Sequence, residues 1–227
     1  MIPVVGIPYI VGPDFLGRCI ESIPRYLVGQ FVVIDNSWER SAPEIEGVHT
    51  VHMGTNLGVS ASWNLIIKMY PKASWWMIVN SDVEFIREDF DRLFEAMAID
   101  PMVIMADLRA FGIKREVITR VGWFDENFVP AYCEDNDYVY RCKLLGIHVQ
   151  KIAEPAKHYG SLAIRQRHDL RANNDKTYAK NVEYYRAKWG GHMDHEVYET
   201  PFGNGGNPAH TEPDIERLAS QAWIPAT

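Results

Sequence analysis

The chain has 227 residues, of which 47% are hydrophobic and 23% charged, a balance that sustains one generous domain with a buried core and argues against disorder. Its net charge of −7 supplies no basic footprint for nucleic acid or for an anionic membrane surface. An acidic protein that handles an anionic substrate needs a metal ion, or locally placed Arg and Lys, to offset the repulsion.

In chain order, Pro3–Ile7 reads as a short buried strand followed by a loop over Tyr9–Asp14. Phe15, Leu16, Cys19, Ile20 and Ile23 recur at helical spacing until Pro24 closes the helix. Gln30–Asp35 is an apolar run of strand length ending in Asp35-Asn36-Ser37, and Val48–Met53 predicts a third strand. Asn56-Leu57-Gly58 is a turn, and Ser60–Met69 predicts a helix that Pro71 terminates. Trp75–Val79 is a strand, Glu88–Ala98 a helix, and the segment around Met102–Ala106 another strand. This alternation predicts an α/β fold, a mostly parallel sheet with helices on both faces. Three strands end in polar residues, Asp35 with Asn36, Thr55 with Asn56, and Asp82 with Glu84. Gathered at the carboxyl edge of one sheet, they have the placement expected of a nucleotide site.

The second half is less regular. Phe111–Thr119 holds strand and helix fragments, and Gly122–Glu126 is a turn. Asp135–Leu145 predicts a helix closed by Gly146, and His148–Ile152 a strand. Asp175–Trp189 predicts a helix with Tyr178, Val182, Tyr185 and Trp189 on one apolar stripe. Lys188-Trp189-Gly190-Gly191 reads as its C-cap with an aromatic anchor. Beyond it the composition predicts loops, with one short helix near Ile215–Ala222.

Chemistry concentrates in two acidic clusters. The strand Trp75–Val79 runs into Asn80-Ser81-Asp82-Val83-Glu84. Side chains at i and i+2 of a strand share a face, so Asp82 and Glu84 are candidates to point together and hold a hard divalent cation on a diphosphate. The bland alternative is an ordinary strand end with a polar turn. The second cluster, Glu134-Asp135-Asn136-Asp137, favours the functional reading.

These pieces stand in a recognisable order: Ile7-Pro8-Tyr9 through Ser22, VVIDNS at 32–37, NLGVSASWN at 56–64, VNSDVEF at 79–85, VGWFDENF at 121–128 running into YCEDNDYVYR at 132–141, and HYGS at 158–161. In that order the chain resembles the family 2 glycosyltransferases, in particular their rhamnosyltransferase-like branch with the GT-A (Rossmann-like) fold. The resemblance covers most of residues 2–190. It implies a GT-A domain over 1–190, with a nucleotide-sugar half at about 1–107, an acceptor half at about 108–190 and a loop-rich extension over 191–227. It implies an inverting, metal-assisted transfer of a sugar from a nucleotide diphosphate sugar to an acceptor hydroxyl.

What the resemblance implies for individual residues is as follows. Asp35 accepts a hydrogen bond from the donor's nucleobase, which favours UDP- or dTDP-sugars; a loop Asp capping a turn is the alternative. Pro8, Asn56, Gly58 and Asn64 line the donor, with Asn56 and Asn64 flanking a helix N-terminus whose free amides favour phosphate or hydroxyls. Capping for Asn56 and a solvated face for Asn64 are the alternatives. Asn80, Ser81 and Asp82 occupy the metal-binding D-x-D segment, with Asn80 in place of the first Asp. Asp82 binds Mn²⁺ or Mg²⁺, His158 completes the shell or contacts the diphosphate, and Glu84 either joins them or faces solvent. Glu134 and Asp135 match the E-D pair, with Asp135 the catalytic base, while Glu134, Asp137 and Arg141 are equally an ion-pair network that holds it. Trp123 and Asp125 are acceptor-side contacts, with core packing the stronger reading for Trp123.

The acceptor is left open among a glycan, a lipid-linked sugar, a protein side chain and a modified nucleobase. Arg109, Arg115 and Arg120 are candidate diphosphate contacts with surface positions as the default, and His192 and His195 read as surface loop. Three scattered cysteines without a C-x-x-C pair indicate neither zinc nor a disulfide framework, and with no basic n-region at the N-terminus they lead to the expectation of a cytoplasmic protein. No apolar run reaches the ~20 residues needed to span a bilayer. The tail beyond Pro201 is expected either to order over the acceptor site or to pack on a second subunit of a homo-oligomer. Two rivals remain: a nucleotidyltransferase, for which Gly6–Gly12 lacks the basic Gly-rich loop, and a non-catalytic sugar-nucleotide or glycan-binding module of the same fold.

Overall fold

The computed structural model describes residues 1–105, 108–152, 157–159 and 168–208. The chain order is β1 (Ile2–Tyr9), α1 (Pro13–Glu21), β2 (Val28–Asp35), β3 (Val48–His52), α2 (Val59–Met69), β4 (Trp75–Val79), β5 (Val83–Glu84), α3 (Arg87–Ile99), β6 (Met102–Met105), β7 (Ala110–Lys114), α4 (Arg115–Val121), α5 (Glu134–Leu144), β8 (Val149–Ile152), β9 (Lys157–His158) and α6 (His168–Trp189). Among the described residues seven strands form one sheet in the order β3-β2-β1-β4-β7-β6-β8. The expected α/β architecture of the GT-A type is what the chain adopts.

Both faces of the sheet are buried, which is why its strands read as continuous apolar runs and not as alternating ones. Val32, Ile34, Trp76 and Ile78 face one core with Trp63, Ile66, Phe124 and Tyr138. Phe31, Val33, Met77 and Val79 face the other with Leu16, Ile20, Phe90 and Leu93. Gly6 lets α2 lie directly on β1, because a Cβ there would run into the Ile66 side chain. A third cluster of Phe128, Cys133, Tyr140, Tyr185 and Trp189 packs α6 against α5.

Two features depart from the parallel pattern. β7 is antiparallel to both β4 and β6, because only residues 106–109 separate β6 from β7 and a connection that short makes a hairpin, not a crossover. β5 and β9 form a separate two-stranded sheet, Val83 opposite His158 and Glu84 opposite Lys157. Helix α6 begins at His168, earlier than the predicted Asp175, since its first turns are too polar to carry an apolar stripe. The short helix expected at Ile215–Ala222 lies outside the described residues. No helix among the described residues is long and apolar enough to cross a membrane.

Candidate active site

The strands β3, β2, β1 and β4 run parallel, so His52, Asp35, Tyr9 and Val79 all lie at one carboxyl edge. Beyond Val79 the chain makes a β-turn, with the Val83 amide donating to the Asn80 carbonyl at 3.1 Å. Ser81 and Asp82 occupy its tip, half-buried, and the Asn80 amide ties the turn to Arg109 through its carbonyl at 2.8 Å. Burial, with the Asp82 charge added to it, pushes the Cys19 thiol up and keeps it unreactive.

β9 delivers the distant His158 segment to this turn. The Tyr159 amide donates to the Asp82 carbonyl at 3.2 Å, directly after the Val83–His158 pairing. The His158 side chain lies outside the described residues. Glu84 Oε2 accepts the Tyr159 hydroxyl at 2.7 Å, and its Oε1 lies 3.7 Å from Lys157 Nζ. The carboxylate fastens β5 to β9. Among the described residues no three His, Cys, Asp or Glu side chains group as a metal set. The Asp82 turn still fits a Mg²⁺ or Mn²⁺ ion, because an ion that takes most of its ligands from phosphate and water needs only one or two carboxylates.

Asp35 is wholly buried, and its oxygens are filled from within the chain. Oδ1 accepts the Ser37 amide at 2.9 Å and the Ser37 hydroxyl, while Oδ2 faces the Ala42 amide at 3.3 Å and His52 Nδ1 at 2.7 Å. Burial alone would raise its pKa, but these donors outweigh burial and hold the carboxyl below its ordinary value. These four donors compete with the direct nucleobase contact expected of Asp35.

Three amides leading into α2 are likewise paired within the chain. The Leu57 amide donates to Asn36 Oδ1 at 3.1 Å, the Gly58 amide to Asn56 Oδ1 at 2.9 Å, and the Val59 amide to the Pro130 carbonyl at 2.7 Å. Asn56 thus serves the turn, as its capping alternative has it, and these three amides offer nothing to a phosphate. Asn64, expected to line the donor, is likewise occupied within the chain. It is buried, gives Nδ2 to the Phe124 carbonyl (2.9 Å) and Glu126 (2.8 Å), and accepts the Phe124 amide at 3.0 Å. Pro8 lies half-buried near the end of β1, one residue before Tyr9.

The Pro130 contact carries the loop before Glu134-Asp135 to the carboxyl edge, against α2. That loop then turns through Tyr132 (φ 80°) and Cys133 (φ 75°), two successive non-glycine residues in left-handed conformation. Asn181 of α6 holds them, its Nδ2 donating to the Ala131 and Tyr132 carbonyls at 2.8 and 3.2 Å. Helix α5 starts immediately after. Asp135 is half-exposed there, with Oδ1 accepting the Asn136 amide at 2.8 Å. Glu134 is buried, and its Oε2 makes no hydrogen bond. Burial first, then the Asp135 charge, pushes the Glu134 carboxyl well above its ordinary range.

Behind α5 lies a charged network with no access to solvent. Lys188 Nζ sits 2.6 Å from both Asp125 Oδ2 and Asp137 Oδ1. Asp137 Oδ2 accepts Arg141 Nε at 2.9 Å, and its Oδ1 also accepts Trp189 Nε1 at 2.9 Å. Arg141 also donates to the Val121 and Trp123 carbonyls, and Tyr184 donates to Asp125 at 2.9 Å. Asp125, expected on the acceptor side, is a buried anchor of this network. Trp123 packs in the core, with Lys68 Nζ 5.1 Å from its ring centre. Arg115 and Arg120 are spent on the Ala73 and Leu145 carbonyls, and His192 and His195 are exposed. Sequence reasoning left Lys188 and Asn181 without a role and passed over His52. The partners of Lys188 are some fifty and sixty residues away, so no local spacing signals them.

No protein-family model matches the chain. The class its fold defines is the mostly parallel α/β sheet of GT-A glycosyltransferases, and solved structures share it. A mannosyltransferase from Pyrobaculum calidifontis, PcManGT, in complex with GDP-Man and Mn²⁺, superimposes with a TM-score of 0.52 at 14% identity over 80% of this chain and 69% of that one. Staphylococcus aureus TarS 1-349 in complex with UDP gives a TM-score of 0.52 at 11% identity over 82% and 72%. At such identities the likeness is one of fold. In sequence, 50 residues are 46% identical to a galactofuranosyl glycosyltransferase of Leishmania donovani, covering 22% of this chain and 11% of that protein. The chain thus spans about a tenth of that relative's length.

Proposed function

We propose that the chain is an inverting glycosyltransferase that moves one sugar from a nucleotide diphosphate sugar to an acceptor hydroxyl. The motif order supports a place among the family 2 enzymes, in the rhamnosyltransferase-like branch, with donor binding in residues 1–107 and acceptor binding in 108–190. Asp82, with His158 beside it in the β5–β9 pair, would hold a Mn²⁺ or Mg²⁺ ion on the donor diphosphate. That ion supplies charge neutralisation for the leaving nucleoside diphosphate. Asp135 takes the proton of the acceptor hydroxyl as its oxygen forms a bond to the anomeric carbon, and the bond from that carbon to the diphosphate oxygen breaks on the opposite side.

The observation that carries this reading is the 2.7 Å hydrogen bond from the Val59 amide to the Pro130 carbonyl. Through it the loop leading to Asp135 is held at the same carboxyl edge as the Asp82 turn, which supports a base on one flank and a diphosphate site on the other. The acceptor is of the hydroxyl class, whether on a glycan, a lipid-linked sugar, a protein or a modified nucleobase. The test is hydrolysis and transfer of a panel of nucleotide sugars with Mn²⁺. Asp135→Asn is expected to bind donor as the wild type does and to lose about 10²–10⁴-fold in turnover. Unchanged turnover refutes the role of Asp135. Binding of nucleotide sugars without any turnover would instead favour a binding module.

A further inference from the structure

With Asp35 saturated, the polar group that leans on it is still partly open to solvent. His52 ends β3, pairs with Asp35 in the β2–β3 register, and has 34% of its side chain exposed. Its Nδ1 lies 2.7 Å from Asp35 Oδ2. An ionised carboxylate only accepts, so Nδ1 carries the hydrogen. The low pKa of Asp35 agrees with its being ionised. Fixing the proton on Nδ1 leaves Nε2 of the neutral ring as an acceptor, on the side of the ring away from the buried carboxylate.

Strand spacing sets the distance from this acceptor to the Asp82 turn. Asp82 follows β4 and Asp35 ends β2, two strand spacings or about 10 Å apart, and His52 leans onto Asp35 from the next strand. A nucleoside diphosphate with its phosphates at the Asp82 turn reaches that far. We infer that His52, oriented by Asp35, is the residue that selects the donor nucleobase, its Nε2 accepting the ring N–H that uracil, thymine and guanine carry beside a carbonyl. Cytosine and adenine present a bare ring nitrogen at the corresponding position, so two acceptors would face one another and binding would weaken. Asp35 acts as the positioning residue behind it, and Ser37 and the Ala42 amide hold Asp35 in turn. This inference rests on the nucleotide-sugar reading above and names the base class of that donor.

The experiment titrates the full chain calorimetrically in Mn²⁺ with UDP, N3-methyl-UDP, GDP, CDP and ADP, using wild type and His52→Phe. Wild type is expected to bind UDP or GDP at least about tenfold more tightly than CDP and ADP, and UDP at least about tenfold more tightly than its N3-methyl derivative. In His52→Phe those ratios collapse towards one while residual nucleotide binding persists. Ratios are read because partial unfolding of the variant lowers all affinities together. A variant that keeps the wild-type ratios overturns the role of His52 and leaves the glycosyltransferase reading standing. Failure of every nucleotide to bind wild type overturns both.

Discussion

Replacing Lys188 with Met keeps the apolar stem and removes one ammonium that lies 2.6 Å from two carboxylates. Lys188 is 1% exposed, and Asp125 and Asp137 are fully buried. Asp137 retains Arg141 and Trp189 after the change, so the loss falls on Asp125, which retains Tyr184 and the Asn127 contacts but loses the ammonium facing it. Removing one partner of a buried ion pair costs about 3–5 kcal/mol. That is a large part of the stability of a typical domain, yet it leaves Lys188→Met folded. Urea unfolding followed by circular dichroism is expected to show the midpoint falling by about 1–2 M. Adding Asp125→Asn removes the stranded charge, so the double variant should regain at least half of the loss. A single-variant cost below about 1 kcal/mol, or strict additivity in the double-mutant cycle, would refute the account of this network.

Gly58→Ala is expected to lose about 1–3 kcal/mol, because its φ of 86° and ψ of 171° suit glycine alone and a Cβ would sit 3.0 Å from the Pro130 carbonyl oxygen; thermal unfolding checks it. Asn64→Ala strands the buried Phe124 amide and carbonyl and should cost about 1–3 kcal/mol by the same measurement. Because the folded-state pKa of Glu134 is raised, the native state keeps a proton that the unfolded chain loses, and stability falls as pH rises from the ordinary Glu value towards the raised one. Glu134→Gln should therefore be more stable than wild type at pH 8, with the gap closing below about pH 4; an equal gap across denaturation curves from pH 4 to 8 would contradict this. Asp82→Ala should abolish the effect of Mn²⁺ on nucleotide affinity, and a metal-dependent titration identical to wild type would remove Asp82 from the metal site.

The sequence by itself determined the alternation of strands and helices. Apolar runs such as Phe31–Ile34 and Trp75–Val79 are doubly buried, and buried strands carry that signature in composition alone. It also determined which turns follow those strands, and so that Asp35, Asn56 and Asp82 lie at one edge. Only the tertiary structure decided what those polar side chains do there. Asp35, Asn64, Glu84 and Asp125 match a functional motif or share a face with one that does, yet each carboxyl or amide is taken up by groups brought from elsewhere in the fold: His52, Phe124, Tyr159 and Lys188. Whether a polar side chain meets a ligand depends on which donors and acceptors the fold delivers to within about 3 Å of it. That is a property of long-range packing, on which local periodicity and spacing carry no information.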